Sequence, residues 1–328
     1  MILKAFVLPG LPQPLLTPNA NPGYKKLRQA FDQVGAEIAK LKPDVILIYS
    51  TMWPSVLGHQ VQGRKLCEWV HVDEEFHNLG SIPYKFKMDA ELARGVVQAG
   101  EKRGLHMRFV DYAGFPIDTG SVVALKLANP EQKIPAVIFS SNMYADRAET
   151  VVLGKAVLET LREQKKTAVA ITISTLSNRL HSQFIQAADD KIHSLKDQEW
   201  NLKILEFLEK GRLEDVAQLS RQIHREARVK KVNNFKPFWW LSSVMGAHNR
   251  YKGEVLAYET VYGTGSAVVS LTPTEFATRD LEFDEDSPEV YGGERNVLAD
   301  ATKMTSMSSQ SANLGMESDA ELGIESEE

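Results

Sequence analysis

The densest group of side chains that could bind a metal ion is the segment HVDEEFH, from His71 to His77. In an extended conformation His71, Asp73, Glu75 and His77 would share one face, because side chains alternate along a strand. Two imidazoles and a carboxylate are the usual protein ligands of a non-haem iron site. Adjacent donors on one short segment are also common in solvated loops, so the sequence leaves both a metal site and an ordinary loop open.

Other candidates follow predicted strands, where the ligand crevices of layered α/β proteins form. The opening loop, VLPGLPQPLLTPN from Val7 to Asn19, has no histidine, carboxylate or cysteine, and Gln13 is its reaching polar side chain. Asp118 and Glu254 without a histidine are a poor acid–base pair near neutral pH. The candidate cleft residues are Gln13, Met52, Trp53, Asp118, Thr119, Asn178 and Glu254.

Apolar patterns predict the elements that would position these residues. Between Leu27 and Leu41 the apolar residues recur at spacings of four, three, four and three, which predicts an amphipathic helix. The runs AFVL, PDVILIYS, IPAVIFSS and KTAVAITIS predict buried strands, and helices are predicted near 89–104 and 147–166. This alternation predicts an α/β fold with a central, mostly buried sheet and helices on both faces.

The second half of the sequence divides into a helical block and an acidic tail. Three helices are predicted between residues 197 and 249, the first ended by Gly211, and two short strands surround the turn at Gly263–Gly265. From Pro273 onward there are 15 Asp and Glu against 3 Lys and Arg, a net charge of −12, whereas residues 1–272 carry +7. We therefore expect one domain over residues 1–272 and an acidic, disordered tail over residues 273–328.

The composition restricts the classes of protein. The single cysteine, Cys67, excludes an internal disulfide and suits a reducing compartment. No apolar stretch approaches the roughly 18 residues of a membrane span, and the N-terminus lacks a signal-peptide pattern. We expect a cytoplasmic protein without a membrane partner. An acidic tail and the lack of a basic and aromatic stripe argue against a nucleic-acid partner.

Six motifs in register resemble the class III extradiol ring-cleaving dioxygenases, the LigB-type superfamily. They are FVLPGLPQP, PDVILIYSTMW, VHVDEEF, GFPIDTG, SSNMY and YGTGSAVV, and with the helical block around EARV they span about residues 5–271. Within the superfamily the chain is most similar to the non-catalytic α-type subunits of two-component aminophenol-cleaving enzymes. The resemblance implies a LigB-like fold and a heteromeric assembly.

The same resemblance implies that this chain has lost the chemistry of its family. Active members hold Fe(II) with two histidines and a glutamate, and use a further histidine as acid and base. At the matching steps the three histidines are replaced by Leu11, Met52 and Asn178, and Glu254 stands at the glutamate position. Leucine donates nothing, and a thioether is a poor ligand for a hard Fe(II) ion. The resemblance therefore implies a vestigial pocket, no cofactor in this chain, and Fe(II) in a paralogous catalytic partner subunit.

Two alternatives stay open. An enzyme with a relocated metal site would use His59, His71, Asp73, His77 and Glu254. A stand-alone scaffold would act through its acidic tail, which would bind a basic partner or fold back on the basic body. Self-association is the alternative to a paralogous partner.

Overall fold

The structure, a computed structural model, describes residues 1–177, 181, 185–213, 215–217, 235–246 and 250–275. The strands are β1 (Ile2–Leu8), β2 (Val45–Ser55), β3 (His59–Gln62), β4 (Leu66–Val72), β5 (Ser81–Lys87), β6 (Met107–Val110), β7 (Ala136–Asn142), β8 (Ala168–Ile173), β9 (Tyr251–Val261) and β10 (Thr264–Pro273). The helices are α1 (Gln13–Leu16), α2 (Pro22–Leu41), α3 (Ala90–Lys102), α4 (Thr119–Ala128), α5 (Arg147–Glu163), α6 (Leu195–Glu209) and α7 (Lys236–Met245). Within these ranges no helix has the length and apolar character needed to cross a membrane.

Eight strands form one mixed sheet in the order β6-β3-β7-β2-β8-β1-β10-β9, and β4 and β5 form a separate hairpin. The central strands β7, β2, β8 and β1 are parallel to one another, whereas β10 is antiparallel to β1 and β9 is antiparallel to β10. Helices cover both faces of the sheet. The predicted α/β fold is thus confirmed.

Strand alternation divides the interior into two cores. Along β1, Ala5 and Val7 pack into the core beneath α3, α5 and α7, whereas Phe6 and Leu8 pack into the core beneath α2 and α4. Both faces are buried, and for this reason the central strands are continuous apolar runs instead of alternating ones. The hairpin of β4 and β5 belongs to the second core through its inward residues, among them Tyr84.

Side-chain caps set the beginnings of the long helices. Asn21 accepts a hydrogen bond from the Gly23 N–H at the start of α2, and Asp146 accepts one from the Glu149 N–H at the start of α5. Such caps satisfy backbone donors that the helix leaves unpaired. The apolar face predicted for α2 is buried, apart from Leu41, which is half-buried.

The structure differs from the sequence-based predictions in two places, and two predicted segments lie largely outside the described residues. The strands around Gly263–Gly265 were expected to be short, but β9 and β10 have 11 and 10 residues and form a long hairpin. The segment from His71 to His77 is not extended throughout: β4 ends at Val72, and His77 begins a 3-10 turn. Most of the second predicted helix, and residues 276–328 of the predicted tail, lie outside the described residues.

Candidate functional site

A cavity of about 910 Å³ opens at the carboxyl ends of the central parallel strands. Gly10 and Leu11 follow β1, and Thr51 to Pro54 lie at the end of β2. The loop that leads into α4 forms another wall, and β4 with the turn after it covers the cavity. The lining residues are Gly10, Leu11, 51–54, 69–76, 115–119, 173–175 and Thr264.

The structure gathers some of the predicted cleft residues and separates others. Those that line the cavity are Leu11, Met52, Trp53, Asp118, Thr119, His71 and Asp73. Gln13 is buried in α1 and does not line the cavity, and its Oε1 accepts no hydrogen bond from the described residues. Asn178 lies outside the described residues.

Glu254 lies away from the cavity, on the edge strand β9. It pairs with Ser270 of β10, which in turn pairs with Phe6 in the middle of β1. The cavity contacts β10 at Thr264, six residues earlier, which is roughly 20 Å along a strand. The Glu254 side chain is exposed.

Met52 fills the floor of the cavity with its sulfur. A methyl group built on Gly10 would lie 2.4 Å from Met52 Sδ, and one built on Gly120 would lie 2.9 Å from the same atom. Methyl groups built on Gly10 and Gly120 would also lie 2.7 and 2.6 Å from the Ile173 side chain. The thioether therefore sits in van der Waals contact with two backbone segments that have no side chain to make room.

Asp118 has one engaged and one unengaged carboxylate oxygen. Oδ1 accepts hydrogen bonds from the Ser121 N–H at 3.0 Å, which caps α4, and from the Ser50 hydroxyl at 2.7 Å. Oδ2 is buried and accepts no hydrogen bond from the part of the chain that the structure describes. The Ser50 hydroxyl also accepts a hydrogen bond from the Met52 N–H at 3.2 Å. One oxygen thus fixes the carboxylate, and the other is left without a donor.

A hydrogen-bonded chain of His71, Thr119 and Asp73 joins the hairpin to α4. Thr119 Oγ1 lies 2.6 Å from Asp73 Oδ2 and 2.6 Å from His71 Nε2. Asp73 Oδ1 accepts from the N–H groups of Glu75 and Phe76, so Asp73 acts as an acceptor throughout. Thr119 has one hydroxyl hydrogen and gives it to Asp73, and consequently His71 Nε2 donates to Thr119.

Aromatic rings form the outer walls. Trp53 and Phe115 lie with their ring centroids 5.6 Å apart, and Phe76 packs edge-on against Tyr262 at 4.9 Å. Trp69 points to the cavity from β4 and is more than half exposed. Sequence reasoning missed Trp69, although it precedes His71 by two residues and therefore shares its face of the strand.

His59 of the alternative metal set lies elsewhere. It is 1% exposed in β3, and neither ring nitrogen has a hydrogen-bond partner among the described residues. Burial, and secondarily the charge of Lys236, lower the pKa of His59 to about 4. His77 is exposed on its 3-10 turn. Nowhere in the described ranges do three His, Cys, Asp or Glu side chains come together in a group that could hold a metal ion.

Comparisons of the sequence with known proteins identify a family and two similar relatives. Residues 11–270 match the family described as the catalytic LigB subunit of aromatic ring-opening dioxygenase. The chain is 33% identical over 275 residues to the α subunit of 2-aminophenol 1,6-dioxygenase from Pseudomonas sp, covering 83% of this chain and 99% of that one. It is 32% identical over 286 residues to the β subunit of 2-aminophenol 1,6-dioxygenase, also from Pseudomonas sp, covering 82% and 93%.

A solved structure shows the same fold. An uncharacterised Escherichia coli K12 protein of known crystal structure superposes with a TM-score of 0.56 at 15% identity, over 82% of this chain and 99% of that one.

Proposed function

This chain belongs to the LigB family of aromatic ring-opening dioxygenases, and on that premise we propose that it is a non-catalytic, α-type subunit of a heteromeric extradiol dioxygenase. Its complex would cleave an aminophenol-like or catechol-like ring. The iron would be bound by a paralogous partner subunit, which this chain stabilises.

The observation that carries the proposal is the pair Leu11 and Met52. They stand where the sequence resemblance expects the two iron-binding histidines, and both line the floor of the cavity. Neither side chain is a suitable ligand for Fe(II). The Met52 sulfur also fills space between Gly10 and Gly120, and the exposed Glu254 is far from both positions. The described residues at this site do not fit an iron centre.

Sequence identity by itself does not choose between the two subunit types. The chain is 33% identical to the α subunit and 32% identical to the β subunit of its relatives. The choice rests on the site, where Leu11, Met52, Trp53, Asp118 and Thr119 would form a vestigial pocket. The proposed complex would work in the cytoplasm, which suits a chain whose single cysteine is a free thiol.

The test is to purify the full chain alone and together with a β-type paralogue from the same genome. We expect the lone chain to hold substoichiometric iron and to open neither 2-aminophenol nor catechol. With the paralogue, the two chains should co-elute, and iron and ring opening should follow the paralogue. Stoichiometric iron together with ring opening by the lone chain would overturn the proposal.

A further inference from the structure

The charge of the cavity lining is one-sided. Its ionisable side chains are four carboxylates, Asp73, Glu74, Glu75 and Asp118, and one imidazole, His71. No Lys or Arg is among the described residues that line it. Carboxylates with no cation beside them attract a positively charged ligand and repel an anionic one.

Among these carboxylates, Asp118 has a buried oxygen, Oδ2, that accepts no hydrogen bond from the described residues. Both oxygens of Asp73 are occupied, by Thr119 and by two backbone N–H groups. Asp118 Oδ2 is buried beside the cavity and receives no hydrogen bond from the described residues. A buried acceptor without a donor is unfavourable, so a donor supplied by a molecule in the cavity would stabilise this oxygen. The N-terminal end of α4 stabilises negative charge at this place.

The aromatic side chains of the cavity walls provide the apolar part of a binding site. Trp53, Trp69, Phe76 and Phe115 line the cavity with aromatic rings. Such faces stack on a planar ring and also attract an ammonium group. A volume of about 910 Å³ is ample for one aromatic ring with a short side chain. A metal ion is not favoured, because the described residues contain no group of three suitable ligands.

We propose that this cavity binds a small aromatic compound bearing an aliphatic ammonium group, which donates to Asp118 Oδ2 while its ring packs against Trp53 and Phe115. This site does not depend on the subunit role proposed above. A chain that failed to assemble with a partner would still have it, and a chain without it could still assemble.

Three probes of matched shape test the role of charge on the purified full chain. They are 2-phenylethylamine, which is cationic, 2-phenylethanol, which is neutral, and 3-phenylpropanoate, which is anionic. In titration calorimetry the amine should bind about tenfold or more tightly than the alcohol, as a charged hydrogen bond predicts. The carboxylate should bind most weakly. Equal binding of amine and alcohol, or no binding of the amine, would overturn the proposal.

A pair of matched variants tests the role of Asp118. Asp118→Asn keeps an oxygen for the Ser121 N–H, and asparagine is a good helix N-cap, so the fold should persist. It should lower the affinity for the amine about tenfold and leave the affinity for the alcohol unchanged. Asp146→Asn makes the same change at the N-cap of α5, outside the cavity lining, and should alter neither affinity. An equal loss of amine binding in both variants would contradict the assignment.

Discussion

At the scale of single residues, the floor of the cavity depends on the fit between two glycines and one sulfur. Gly10 and Gly120 approach Met52 Sδ so closely that neither tolerates a side chain without movement. The sequence showed that Met52 is a poor iron ligand, but it did not show that the sulfur fills this space. That packing depends on β1, β2 and α4 meeting at one point.

Gly10→Ala should therefore destabilise the fold through overpacking. The new methyl group would clash with Met52 Sδ and with Ile173, and the expected loss is about 1–3 kcal/mol in the free energy of unfolding. Urea denaturation measures it. Gly10→Ala should cost less stability in a Met52→Ala background than in the wild type, because the sulfur that the new methyl group would meet is then absent. Additive effects in the double variant would show that the two sites are not in contact.

His59 is a second residue whose surroundings decide its behaviour. Its pKa is about 4 in the folded chain, against about 6.5 when unfolded. Between these values the unfolded chain binds more protons, so stability should fall as pH drops from about 6.5 to about 4 and should change no further below that through this group. The full effect would be about 3 kcal/mol.

His59→Phe should remove this part of the acid sensitivity. Urea denaturation at pH values between 6.5 and 4 should give a flatter dependence for the variant than for the wild type. His77→Phe, at an exposed position, is the matched control and should keep the wild-type slope. Equal slopes for the wild type and His59→Phe would show that the buried imidazole is not the group responsible.

At the scale of elements, the end of β4 is hydrogen-bonded to the start of α4 through one hydroxyl, beside the apolar packing of the hairpin in the second core. Thr119 Oγ1 bonds both Asp73 and His71, and this hydroxyl positions the strand that carries Trp69 over the cavity. The sequence brought His71 and Asp73 together as possible metal ligands. It could not show that a threonine 46 residues from Asp73 lies between them.

Thr119→Val should loosen the hairpin while preserving the shape of the buried side chain. We expect amide hydrogens in residues 66–76 to exchange roughly tenfold faster, since a buried hydrogen bond of this kind contributes about 1–3 kcal/mol. Thr119→Ser retains the hydroxyl and should exchange like the wild type. If the serine variant exchanges fast while the valine variant exchanges like the wild type, packing of the methyl group, and not the hydroxyl, holds the hairpin.

The elements themselves were largely predictable, and particular residues show why. The buried strands are continuous apolar runs, and α2 has a clear apolar face from Leu27 to Ile38. Local patterns do not reveal which strands pair, however. Glu254 was assigned to the cavity because it precedes an apolar run, whereas the register with Ser270 places it far along the sheet.

At the scale of the whole molecule, charge is distributed unevenly along the chain. Residues 276–328 contain 14 acidic and 3 basic residues, a charge of −11, which leaves +6 for residues 1–275. The strand β10 runs to Pro273, and the Thr274 N–H donates to the Arg250 carbonyl oxygen. A deletion that keeps all of the described residues therefore begins at residue 276.

Removing residues 276–328 should leave a chain with a net positive charge. We expect the truncated chain to bind heparin at low salt and to elute as salt screens the charges, while the full chain passes through. Co-elution with the β-type paralogue should be unchanged. Loss of that co-elution would instead assign the acidic segment to the subunit interface.

The sulfur between Gly10 and Gly120 also bears on whether a metal centre could be built into this cavity. A histidine at position 52 alone would disturb the packing against both glycines and would still face Leu11. The first substitution towards such a centre therefore weakens the fold before any ligand set exists. Natural variation in relatives of this chain is accordingly expected to reshape the cavity walls instead of adding metal ligands at its floor.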